Sequence, residues 1–126
     1  MADGSSLTGH VRVQCHTDDL ETARKYYEDT LGLELVEVFD PNHCMMLHLS
    51  GDTFVEIVHT PDLAGNAEMA VQVESIEEAY RRFGAGAERE PTTMPWGDRQ
   101  LLCTDPAGNR ITFFEKVEEA SAAGSS

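Results

Sequence analysis

The sequence predicts an α+β domain built from two βαβββ modules related by a pseudo-twofold, with curled mixed sheets around a concave cleft. Three observations carry this. Runs of period-two alternation and runs of helical period follow the order strand, helix, three strands, and the order then begins again. A single offset of 56 relates the halves, taking Leu20 to Ile76, Ala23 to Ala79, Tyr27 to Phe83, and the run 53–58 onto 109–114. Two copies of about 55 residues are too few to stack as a solenoid, so the natural outcome is a paired-module domain.

The first element is 10–16, where Val11, Val13 and Cys15 alternate with His10, Arg12, Gln14 and His16, as a strand with one apolar face requires. Helical period follows over 18–30, with Leu20, Ala23, Tyr27 and Leu31 on one stripe. Asp18 and Glu21 are spaced as a capping box, and Gly32 stops the helix. Extended runs are expected at 33–39, 44–49 and 53–59, separated by the turns Asp40-Pro41-Asn42 and Ser50-Gly51-Asp52. The second round opens with a strand at 69–73. Ser75 and Glu78 then form a capping box, Ile76, Ala79, Tyr80 and Phe83 line a helix face, and Gly84 and Gly86 end it. Extended runs at about 87–90, 99–104 and 109–117 complete it, with Asp105-Pro106-Ala107-Gly108-Asn109 as the last turn. Module one thus spans about 8–60 and module two about 67–117, while the small polar ends 1–7 and 118–126 are expected to be flexible.

Composition narrows the partners. Asp plus Glu is 23 against 9 Lys plus Arg, a net charge of -14 over 126 residues. Such a surface repels phosphate backbones, so neither nucleic acid nor an anionic membrane is expected, and no apolar run approaches a membrane span. It attracts cationic small molecules, although solubility alone is the plainer explanation of the charge. Cys15, Cys44 and Cys103 match no zinc spacing, and the N-terminus carries no secretory signal, so a reducing cytoplasmic location is expected.

Each strand buries one face on its helix, and its other face is read for chemistry. That second face carries His10, Arg12, Gln14 and His16; Cys44, Met46 and His48; Phe54, Glu56 and Val58; and in the second module Glu68, Ala70 and Gln72; Gln100, Leu102 and Thr104; Arg110, Thr112 and Phe114. Glu56 stands out between Val55 and Ile57, because an isolated Glu is rarely buried. It is either a ligand-binding carboxylate or one that is solvated or paired with Arg12. His16 and His48 are general-base candidates or polar lining, and His43 and His59 are expected in solvent.

The segments Asp19-Leu-Glu-Thr-Ala-Arg-Lys-Tyr-Tyr-Glu-Asp-Thr-Leu-Gly-Leu33, Phe54-Val-Glu-Ile57, Pro95-Trp-Gly-Asp-Arg99 and Asp105-Pro-Ala-Gly-Asn109, in this twofold order, resemble the vicinal-oxygen-chelate superfamily of glyoxalases, extradiol dioxygenases and bleomycin-resistance proteins. The resemblance covers about 8–117. It implies metal ligands on the first and fourth strands of each module. Carried over, those positions are Arg12 or His10, then Glu56, Glu68 and Thr112. Arg12 follows if the helix sets the register, and His10 if Val13-Gln14 is matched to Val71-Gln72. An Arg at one vertex and a Thr at another are poor for a metal, so the set containing Arg12 implies a metal-free site in which Arg12 neutralises the carboxylates. The set His10, Glu56 and Glu68 is the metal-binding alternative, for Zn, Ni, Fe or Mn.

Without a metal the resemblance implies the bleomycin-resistance-like branch: a homodimer binding a cationic or aromatic small organic molecule, with no cofactor. Its expected lining is Arg12, His16, Met46, His48, Glu56, Glu68, Met94, Trp96, Thr112 and Phe114. With a metal it implies a lyase, isomerase or dioxygenase, with Glu56 or Glu68 as the catalytic proton shuttle. A protein-binding module with a filled face is the third reading.

Overall fold

The computed structural model describes residues 7–116. The expected flexible ends, apart from Leu7, and the Val117 end of the last run lie outside the described residues. The elements are β1 (Val11–Thr17), α1 (Leu20–Lys25, continued by a π-helical turn, Tyr26–Thr30), β2 (Glu34–Asp40), β3 (Cys44–Ser50) and β4 (Thr53–His59). β5 (Glu68–Gln72), α2 (Ile76–Phe83), β6 (Thr92–Thr93), β7 (Arg99–Thr104) and β8 (Arg110–Glu115) follow. They form two four-stranded mixed sheets, ordered β1-β4-β3-β2 and β5-β8-β7-β6. Neither sheet closes into a barrel. Among the described residues no helix is long and apolar enough to cross a membrane.

The repeat seen in sequence is a repeat of register. Arg12 stands opposite Phe54 across the parallel β1–β4 pair, and Glu68 stands opposite Arg110 across β5–β8. Met46 faces Glu56 as Leu102 faces Thr112. In each case the same 56 residues separate the counterparts. This resolves the first strand: Arg12 corresponds to Glu68, while His10 precedes β1.

Two local expectations are corrected. The cap of α1 is Asp19, whose Oδ1 accepts from the backbone N–H of Thr22 at 3.1 Å; Asp18 and Glu21 do not form the cap. Thr17 sets this position, since its hydroxyl oxygen accepts from the Asp19 N–H at 3.0 Å and uses one more residue before the helix starts. The cap of α2 is Ser75, its Oγ accepting from the Glu78 N–H at 3.1 Å, as expected. The run at 87–90 is not a strand. Only Ala87 bridges to Cys103, and β6 forms later, pairing Thr92 and Thr93 with Gln100 and Arg99. The charged Arg89-Glu90 followed by Pro91, which has no N–H to donate, explains why pairing is interrupted there.

One apolar cluster joins both helices to both sheets. Tyr27, Leu47, Val55 and Ile57 meet Ile76, Leu101, Cys103 and Ile111 within it. At its edge lies a buried polar junction. Asp105 takes the Tyr27 hydroxyl proton bond at 2.7 Å, and Asn109 donates from Nδ2 both to Asp105 and to the His16 carbonyl, each at 2.8 Å. Asn109 also accepts the Ala67 N–H at 2.9 Å, so one side chain ties the end of β1 to the start of β5.

The link between the modules passes closely over this turn. Gly65 has φ +84, and a Cβ there would lie 2.9 Å from the Ala107 carbonyl oxygen. Gly65→Ala is therefore expected to destabilise by about 1–3 kcal/mol in urea unfolding. Gly51, also at positive φ but with nothing within 4 Å of its Cβ position, serves as the control. Gly51→Ala is expected to cost less than Gly65→Ala.

Candidate functional site

The first sheet presents three rows of side chains on the face opposite the one that carries Leu47, Val55 and Ile57 into the core. Gln14, Glu56, Met46 and Glu37 run across β1, β4, β3 and β2; Arg12, Phe54, His48 and Glu34 form the next row; His16, Val58, Cys44 and Asp40 the third. The centre is Glu56, at 9% exposure a buried carboxylate. Its Oε1 accepts from Gln14 Nε2 at 3.1 Å. Among the described residues it has no cationic partner within salt-bridge distance.

Arg12 does not neutralise Glu56 or Glu68, contrary to the expectation. Register is the reason, since Phe54 stands opposite Arg12 and Gln14 stands opposite Glu56. Arg12 Nε donates to His10 Nε2 at 2.8 Å, and the guanidinium carbon lies 5.2 Å from the centroid of Phe39. Glu68 instead faces Arg110 at 4.0 Å.

An aromatic stack borders the carboxylate. His10 stacks on Phe54 with centroids 4.8 Å apart, and His48 tilts against the same ring at 5.3 Å. His10 Nδ1 lies 3.3 Å from Asp52 Oδ1. His48 Nε2 donates to the Gly51 carbonyl at 2.9 Å. His16 is half-buried, and its Nδ1 has no hydrogen-bond partner. Of the two histidines expected in solvent, His43 is exposed and His59 is half-buried.

Cys44 sits in this field, and its thiol is pushed up by desolvation and by the Glu56 and Asp40 carboxylates, with Arg12 opposing. Cys15 and Cys103 are buried thiols raised to about 11, chiefly by burial. All three are therefore neutral thiols near pH 7, and none is an activated nucleophile.

The second sheet carries a different lining on the corresponding face. Glu68 is opposite Arg110, Ala70 opposite Thr112, Leu102 opposite Thr112, and Gln72 and Gln100 flank Phe114. Thr112 replaces at this position the carboxylate that Glu56 supplies in the first sheet. Met94 and Trp96 lie in the turn before β7, closed by Gly97 N–H to the Met94 carbonyl at 2.9 Å. Trp96 is 65% exposed, so it is not a core anchor of this chain.

Within one chain the expected ligand positions are a poor donor set for a divalent metal. Arg12 brings a fixed cation and Thr112 a weak neutral donor to two of the four ligand positions. Among the described residues, no three of His, Cys, Asp and Glu gather as a metal would need, so His10, Glu56 and Glu68 are not drawn together. His10 already uses Nε2 for Arg12 and faces Asp52 with Nδ1.

Sequence reading missed Gln14 as the partner of Glu56, and missed Phe39 and Asp52. The first was accessible from the offset, because the same-face neighbour on β1 follows once register is fixed; the other two depend on sheet curl and turn geometry. A further groove of about 550 Å³ was also unforeseen, where Leu20, Val38, Met45 and His59 line the other side of the first sheet.

The duplicated sheet register and the polar, aromatic face define a paired βαβββ protein. The chain matches the family described as Glyoxalase/Bleomycin resistance protein/Dioxygenase superfamily over residues 9–113, and it belongs to that superfamily. It is 27% identical to a bleomycin resistance protein of Geobacillus stearothermophilus over 120 residues, covering 79% of this chain and 91% of that one. It is equally 27% identical to a probable chloroplastic lactoylglutathione lyase of Arabidopsis thaliana, covering 85% of this chain but spanning only 35% of that protein's length. Among solved structures, TnmS3, an antibiotic binding protein from Streptomyces sp. CB03234, shares the fold with a TM-score of 0.75 at 23% identity, over 88% of this chain and 98% of that one.

Proposed function

We propose that this face of the first sheet binds a small organic molecule carrying a cationic group, with Glu56 as the acceptor and the His10–Phe54–His48 stack as an aromatic platform, and that it does so without a metal. The observation that carries this reading is a carboxylate at 9% exposure that, among the described residues, a neutral amide alone answers. A buried carboxylate normally has a cationic partner or several hydrogen bonds, and a cationic ligand would supply what is missing here. Relatives that bind antibiotics or confer bleomycin resistance support the same class of ligand. In this reading the protein is a cytoplasmic homodimer whose second copy completes the cleft, with Trp96, Met94, Glu68, Thr112 and Phe114 as the remaining lining.

Calorimetric titration with bleomycin and with flat aromatic cations tests it. Saturable binding is expected, and Glu56→Gln, which can still accept from Gln14, should weaken it about 10–100-fold, the loss of one charged hydrogen bond of roughly 1.5–3 kcal/mol. Absence of saturable heat across the panel would overturn the reading. The lyase, isomerase or dioxygenase alternative requires stoichiometric metal in protein purified without chelator, and elemental analysis separates the two.

A further inference from the structure

We propose that Arg12 is a second anchoring point on this face, positioned by Asp52 through His10, and that the ligand therefore carries an anionic or strongly accepting group beside its cation. The ligand part of this inference rests on the cationic-ligand reading above; the positioning of Arg12 does not.

The chemistry of the donors fixes the arrangement. Arginine Nε–H can only donate, so the His10 Nε2 it meets at 2.8 Å is the bare ring nitrogen. The ring proton of neutral His10 is then on Nδ1, directed at Asp52 Oδ1 at 3.3 Å. Stacking on Phe54 holds the plane of the imidazole, and Phe39 lies beneath the guanidinium. Four groups, His10 just before β1, Phe39 of β2, Phe54 of β4 and Asp52 of the β3–β4 turn, thus hold one cation over the face. With Nε engaged, the terminal NH2 groups form no other hydrogen bond or ion pair to a side chain among the described residues. Those terminal groups present a planar fork suited to a carboxylate or phosphate.

Glu56 lies in the adjacent row, because Arg12 and Gln14 are alternate residues of β1 and Gln14 is the Glu56 partner. Arg12 and Glu56 are therefore diagonal neighbours on β1 and β4, and their charges are opposite in sign. A single ionic group cannot use both.

The test uses 3-phenylpropanoate and 3-phenylpropylamine as probes on the full chain. NMR follows the Arg12 Nε–H and the Gln14 side-chain amide. The anion is expected to shift the Arg12 signal saturably, and the amine to shift Gln14. His10→Phe keeps the ring on Phe54 but cannot accept, and should weaken the anion about tenfold. His10→Gln restores an acceptor and should return affinity to within about twofold of the original, a rescue that a purely structural role would not produce. Amine binding should be weakened by Glu56→Gln, whereas His10→Phe, which keeps a ring on Phe54, should weaken the amine less than it weakens the anion. The inference is overturned if the anion leaves Arg12 unmoved, or if His10→Phe binds it as well as the unaltered protein. If His10→Phe does not fold, Asp52→Ala, which removes the acceptor of His10 Nδ1–H, takes its place, with the same loss expected and the same null result overturning it. Amine binding that ignores Glu56→Gln would instead sink the cationic-ligand reading alone.

Discussion

Asp105→Ala is expected to destabilise the protein by about 3–5 kcal/mol, measured by urea unfolding, with the slope of the transition unchanged. Asp105 is 4% exposed and answers four donors. Its Oδ2 accepts from the Tyr27 hydroxyl at 2.7 Å and from Asn109 Nδ2 at 2.8 Å, while Oδ1 accepts from the backbone N–H groups of Asn109 at 2.8 Å and Ala107 at 3.0 Å. Alanine strands all four, three of them in buried bonds and the Ala107 N–H in a part-buried one. Each orphaned donor costs about 1–3 kcal/mol, but they share one cavity, so the penalties do not add in full. Tyr27→Phe removes one donor and leaves the carboxylate with three, so about 1 kcal/mol is expected. If Asp105→Ala falls no further than Tyr27→Phe, water reaches the turn and the junction is not the tie it looks to be.

Leu47→Ala is expected to cost about 3–5 kcal/mol, the range for a fully enclosed leucine whose surroundings collapse only in part. Leu47 has no exposed surface, sits opposite Val55 in the middle of β3, and its neighbours on both sides are strand backbone that cannot close in. The repeat supplies an internal comparison. Fifty-six residues on is Cys103, equally enclosed and facing Ile111. Cys103→Ala removes only a sulfur and should cost about 1 kcal/mol. Equal losses at the two positions, read from thermal or urea unfolding, would contradict a packing origin.

The frame was legible because it is written in local periods. Val13 and Cys15 declare the core-facing side of β1, although Val11 at its start is 48% exposed, and Ile76, Ala79 and Phe83 declare the stripe of α2. The offset even pointed to the corrected cap, since Ser75 less 56 is Asp19 and not Asp18. The π-helical turn was not legible, because its bond from the Leu31 N–H to the Tyr26 carbonyl at 3.1 Å leaves the apolar stripe unchanged. The face was legible as a set of residues and not as a set of contacts. Alternation places Arg12 and Glu56 on the same side, but only register shows that each has a different partner. The Asp105–Asn109 segment reads locally as a solvent-facing turn, and its burial depends on Tyr27, which lies 78 residues away in sequence.

That separation also has a consequence for synthesis. The Asn109 bond to the His16 carbonyl spans 93 residues, and both it and the Asp105 bond to Tyr27 join the first helix and strand to the last turn. A nascent chain can build the first sheet early, since β1 to β4 lie within residues 11–59. Until residue 109 leaves the ribosome, however, the Tyr27 hydroxyl and the end of β1 lack their partners, and half of the shared core is uncovered. Completion therefore waits on this last turn, which makes the domain a late-closing fold whose first module is exposed to chaperones and to neighbouring chains until the turn emerges.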